Sequence, residues 1–155
     1  MDADTSRALA ALIRSQRITH LGTLRSGAPL VSMTLYLPAQ DFSAFYLHVS
    51  RLAWHTQDML QEARVALSIA ENDDGRADPF TLMRVSIRGE ASLLTKEISS
   101  LKGAWLARFP EQAINFELAD FSFWQVTPRD ARFVAGFGRI HNLSGDDLVH
   151  SGEAK

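Results

Sequence analysis

The stretch His20-Leu21-Gly22-Thr23-Leu24-Arg25-Ser26-Gly27-Ala28-Pro29-Leu30-Val31-Ser32-Met33-Thr34-Leu35-Tyr36-Leu37 decides the fold. Two apolar runs, at 20–25 and 29–37, flank a short loop at Ser26-Gly27. That pattern is a β-hairpin signal. The Pro38-Ala39-Gln40-Asp41 cluster then breaks the second strand.

The same signal recurs outward from this stretch. Residues 44–49 hold Phe45, Tyr46 and Val49 and read as a third strand. In 64–70, Val65, Leu67 and Ile69 alternate with Ala66 and Ser68, the period-two pattern of a half-buried strand. A long strand is expected over 81–95, with Gly89 at a bulge or bend. The last strands are expected at 121–127 and 131–143, separated by Pro128-Arg129-Asp130. Helices are expected at 5–17, 52–62 and 96–109, with a short one following Pro110 to about 116. From Ser144 onward the chain is polar and reads as a flexible tail over 144–155. Hairpin-like links outnumber strand–helix alternation. The expected architecture is therefore mainly β (α+β), an antiparallel barrel with peripheral helices in a single domain.

Composition excludes several classes. The chain has 155 residues, of which 46% are hydrophobic and 22% charged, the profile of a globular protein rather than a disordered or fibrous one. It contains no cysteine, so disulfides and thiolate chemistry are absent, and a cytoplasmic setting is expected. A formal charge of −2 argues against a nucleic-acid partner. The N-terminus has no basic start and no apolar run, and no stretch approaches the ~20 apolar residues of a membrane span. No membrane partner is expected.

Several residues could carry chemistry. Ser50-Arg51 sits where a strand gives way to a helix, a place where backbone N–H groups and a guanidinium can hold phosphate. His55 and Thr56 lie in the first turns of that helix. Arg84, Ser86 and Arg88 share one face of a strand and could meet an anion; a solvated outer face is the plain alternative. Of the five histidines, none forms a close metal cluster, and no metal site is expected. His141 and His150 are the ones that could approach a haem iron. The glycine-rich nucleotide fingerprints and the nucleophile-elbow motif are absent. Gly136-Phe137-Gly138, read as part of a strand, suggests close approach of another backbone or a flat ligand.

Three segments together carry a resemblance: Gly22-Thr23-Leu24-Arg25-x-Gly27-x-Pro29-x-x-Ser32; Ser50-Arg51-Leu52-Ala53-x-His55-Thr56; and Thr127-Pro128-x-x-Ala131-Arg132-Phe133-Val134-x-Gly136-Phe137-Gly138-Arg139. The sequence resembles the flavin-binding split-barrel superfamily of pyridoxamine 5′-phosphate oxidase, and within it the branch related to haem-utilisation proteins. The resemblance implies a six-stranded antiparallel split β-barrel and a homodimer with FMN in grooves between subunits. It implies that Ser32 contacts the flavin, that Ser50 and Arg51 grip its phosphate, and that His55, Thr56 and Arg84 line the groove. Leu52 stands where the oxidases carry a lysine, and Trp124 lies fifteen residues before Arg139-Ile140-His141. The expectation is thus a flavin-dependent oxidoreductase with a small-molecule redox substrate, not that oxidase itself. Two alternatives stay open: a haem-binding protein using the same groove with His141 or His150 on the iron, and a non-catalytic flavin module.

Overall fold

The computed structural model describes residues 1–154. Helix α1 (Ala3–Ser15) leads into the hairpin β1 (Ile18–Arg25) and β2 (Ala28–Leu35), then the stub β3 (Leu37–Pro38) and β4 (Phe45–Ser50). Next come α2 (Trp54–Gln61), β5 (Arg64–Ala70), a 3₁₀ turn at Pro79–Thr81 and β6 (Arg84–Leu93). Helix α3 (Ser99–Arg108) and a 3₁₀ segment (Pro110–Glu117) precede β7 (Phe121–Val134), β8 (Ile140–Ser144) and α4 (Gly145–Gly152).

One sheet runs in the order β2-β1-β5-β6-β7-β4-β3, with β8 beside the far end of β7. Every neighbouring pair is antiparallel. The expected hairpin holds, with Arg25 opposite Ala28 and Ser26 and Gly27 both at positive φ. Strands β2 and β3 lie at opposite edges, yet Tyr36 alone separates them in the chain. The sheet must therefore curl until its edges adjoin. Tyr36 is fully buried at this seam, donating its hydroxyl to Ile13 O at 2.6 Å and its backbone N–H to Arg17 O at 3.3 Å.

The inward rows of the strands form one core. Leu21, Leu47, Leu67, Ile69, Val85, Ile87, Val126 and Phe133 meet Leu9, Leu12 and Ile13 of α1 there. The alternation of β5 is borne out, with Val65, Leu67 and Ile69 inside.

Four expectations need correction. Among the described residues the sheet has eight strands, one of them only two residues long, rather than six. Strand β7 runs unbroken through Pro128, because Pro128 lies opposite Gly89 where the register shifts and a missing N–H is tolerated. A Cβ on Gly89 would stand 2.4 Å from Thr127 O, so the expected bulge requires glycine. The run 131–143 is not one strand. Gly136 and Gly138, at φ 121° and 73°, turn the chain between β7 and β8, and Phe137 is exposed at the tip.

The polar stretch after Ser144 is not a loose tail over 145–152. Ser144 caps α4, accepting from Asp147 N–H at 3.1 Å, while Asp147 Oδ2 accepts from the Ser144 N–H at 2.8 Å. Leu148 is fully buried in the core cluster, and Arg14 of α1 donates to Gly152 O.

Candidate functional site

Two cavities gather four of the residues singled out in the sequence, Arg51 and Thr56 in one and His141 and His150 in the other. The first lies where β4 ends. The N-cap of α2 is Ala53, not Ser50, and it offers no side-chain acceptor to the first free N–H groups of the helix. Ser50 is engaged elsewhere: its hydroxyl donates to Asp120 Oδ2 at 2.5 Å and accepts from Leu52 N–H at 3.1 Å. The Arg51 N–H donates to Asp120 O at 2.7 Å, and its guanidinium is exposed.

Arg51, Thr56, Leu60, Leu93, Asp120 and Trp124 line a cavity of about 80 Å³. Thr56 Oγ1 and Trp124 Nε1 are both buried there without a hydrogen-bond partner. Two unsatisfied polar groups beside a cation and an uncapped helix start are suited to an anionic group. Helix α2 is fixed on β1 by Asp58, which accepts from Thr23 Oγ1 at 2.7 Å and Arg25 at 2.8 Å. Arg25 in turn covers the Trp54 ring at 4.1 Å. His55 Nε2 is buried without a partner, and burial lowers its pKa against a weaker upward pull from Asp58.

Ser32 and Arg84 do not join this cavity within one chain. Ser32 is half-buried on β2 opposite Leu21. Arg84 opens β6, whereas Leu93 at the cavity closes it; nine steps of ~3.3 Å put them roughly 30 Å apart. The Arg84 guanidinium donates to Phe80 O at 3.2 Å and Leu82 O at 3.0 Å. The shared face of Arg84, Ser86 and Arg88 is outward, and Arg88 is neutralised by a two-pronged pair with Asp130 at 2.8 and 2.6 Å.

The second cavity, about 410 Å³, brings His141 of β8 and His150 of α4 together with Ile140, Leu143, Ser6 and Asp147. His141 Nε2 is buried without a partner. His150 Nδ1 lies 2.7 Å from Asp146 O. A carbonyl only accepts, so Nδ1 carries a proton, and in the neutral ring Nε2 holds the lone pair. A backbone carbonyl fixing the tautomer in this way is a common arrangement behind metal-bound histidine. Their place near the polar end of the sequence pointed to these two residues; only α4 explains why they meet.

Asp120 and Trp124 were not foreseen at the first cavity. Trp124 sits in the aromatic-dense run 121–124, a weak signal, while nothing in the sequence ties Asp120 to Ser50. Among the described residues no group of three or more His, Cys, Asp or Glu could hold a metal ion without further donors. No helix among them is long and apolar enough to cross a membrane.

Comparison with known proteins adds the following. The family described as "CREG, beta-barrel" matches residues 2–150. The chain is 33% identical over 121 residues to Non-canonical heme oxygenase HOZ, chloroplastic, of Arabidopsis thaliana, covering 77% of this chain and 36% of that protein. It thus spans about a third of that relative's length. It is 26% identical over 128 residues to Heme oxygenase HutZ of Vibrio cholerae, covering 79% of this chain and 71% of that protein. The structure of a heme binding protein from Mycobacterium smegmatis superposes with TM-score 0.81 at 23% identity, over 97% of this chain and 61% of that one. A putative pyridoxamine 5′-phosphate oxidase from Listeria innocua superposes with TM-score 0.66 at 16% identity, over 85% and 99%. At these identities the two structures speak for the fold alone.

Proposed function

The chain belongs to the CREG β-barrel family, and from that premise we propose that it is a haem-binding protein of haem utilisation. The observation that carries this reading is the meeting of His141 and His150 in one cavity, with His141 Nε2 unpartnered and the His150 ring held by Asp146 O. Both curated relatives are named as heme oxygenases, which supports haem over flavin. His150 would offer Nε2 to the iron, with Asp146 O holding the ring; His141 is the second donor. Ile140 and Leu143, which line the cavity, would give a bound haem an apolar wall. The haem itself would supply the redox-active iron.

The reading includes a homodimer. Val31 and Met33 on β2 are 68% and 59% exposed, and Ile140 on β8 is 49% exposed. The row Met33, His20, Ser68, Ser86, Arg132, Asn142 crosses the sheet on the outward face they share. Exposed apolar side chains spread over one face suit contact with a second copy.

Titration of the purified protein with haemin tests this. The expected result is a Soret band near roughly 400 nm that shifts in His150→Ala. A spectrum unchanged in both His150→Ala and His141→Ala rejects the assignment of the ligands.

A second reading, FMN binding, rests on the Arg51 cavity with its unpartnered Thr56 hydroxyl and Trp124 N–H. It predicts uptake of FMN with bands near roughly 375 and 450 nm, weakened by about 1.5–3 kcal/mol in Arg51→Ala. No FMN uptake by the folded protein removes this reading.

A further inference from the structure

His48 faces away from the barrel core, beside its cross-strand partner Phe123. Helix α3 and the 3₁₀ segment Pro110–Glu117 roof it over. Its ring stacks on Phe116 at 4.1 Å and 13°, with Phe123 at 4.6 Å, Phe121 at 5.4 Å and Trp105 at 5.8 Å. The residue is only 9% exposed, yet Nδ1 has no hydrogen-bond partner. Core packing alone does not account for a polar atom buried without a partner.

A cavity of about 250 Å³ opens beside this ring. Phe116, Phe121 and Phe123 line it together with Lys96, Glu97 and Lys102. Lys102 Nζ lies 5.1 Å over the Phe116 ring. The walls are flat and aromatic, and the lining carries two ammonium groups against one carboxylate. The volume falls below the ~300 Å³ at which drug-sized pockets begin and suits a ligand of a single ring.

We propose that this cavity binds a small planar aromatic carboxylate. The ring lies against the phenylalanines beside His48, and Lys96 and Lys102 balance the charge of the carboxylate. A neutral aromatic alcohol would gain the stacking but not the charge, and acetate would gain the charge but not the stacking. The site is separate from the His141 and His150 cavity, with which it shares no lining residue.

Titration of the full chain with benzoate, benzyl alcohol and acetate, followed by the ring-nitrogen NMR signals of His48, tests this. Benzoate is expected to shift those signals saturably, and more tightly than either of the others. Lys102→Glu, at an exposed position, is expected to weaken benzoate about tenfold and leave benzyl alcohol unchanged. It should also leave the haemin titration unchanged. The proposal falls if millimolar benzoate leaves the His48 signals unmoved, or if benzyl alcohol matches benzoate. Phe116→Ala with an unaltered far-ultraviolet spectrum and undiminished benzoate binding also overturns it.

Discussion

Arg108 reaches from α3 into the seam and donates to three main-chain carbonyls: Tyr36 O at 3.1 Å, Arg14 O at 3.0 Å and Gln16 O. Its guanidinium also lies 5.3 Å from the centre of the Tyr36 ring. One planar fork thus ties three elements, and lysine cannot reproduce that fork. Arg108→Ala is expected to cost about 3 kcal/mol in urea unfolding, and Arg108→Lys to recover only part of it. His48 gives stability a pH dependence. Burial lowers its pKa from 6.5 to about 4, so the unfolded chain binds the extra proton first. Stability is then complete above pH 6.5 and is lost as pH falls toward about 4, by up to about 3 kcal/mol. His55, also lowered by burial, acts in the same direction. Urea midpoints at neutral and mildly acid pH for the wild type and His48→Phe check this; the variant should lose much of the acid sensitivity. Neither residue's environment was legible in the sequence. A lone histidine in a strand has no local mark of its roof, which comes from residues far along the chain. The hydrogen bond of the Ser50 hydroxyl was not legible for the same reason, since its partner Asp120 lies on a distant segment.

Among the elements, Gly89 and α4 show what local pattern reveals and what it hides. An isolated glycine in a strand pattern marks a bulge, and here Thr127 O fills the space where a Cβ would stand. Gly89→Ala is expected to destabilise by about 2–3 kcal/mol, read as a lowered thermal midpoint. The hairpin and the alternation of β5 were legible because they depend on near neighbours in sequence. The continuity of β7 through Pro128 was not, because it depends on the facing strand. For α4 the signal existed: Ser144 and Asp147 form a capping box ahead of Leu148. Gly145, Ser151 and Gly152 masked it, being poor helix formers. Leu148→Ala should cost about 2–5 kcal/mol, as for other buried leucines. It should also loosen the cavity that holds His150, so the haemin spectrum of that variant is expected to broaden.

The whole molecule presents an outward sheet face that carries Val31 and Met33. The homodimer proposed above predicts a sedimenting species of twice the chain mass, and the double change Val31→Glu with Met33→Glu should return it to monomer. A stable wild-type monomer would remove the dimer from the reading. The seam at Tyr36 has a different consequence, which concerns synthesis on the ribosome. Strands β2 and β3 are made together, but β4 finds its long ladder only on β7, with Phe45 opposite Val126. Until β7 emerges, the nascent chain carries the apolar segment Phe45–Ser50 with no pairing beyond the two-residue β3. Vectorial folding cannot close this barrel early, and the unpaired strand is the segment a chaperone would be expected to shield for most of translation.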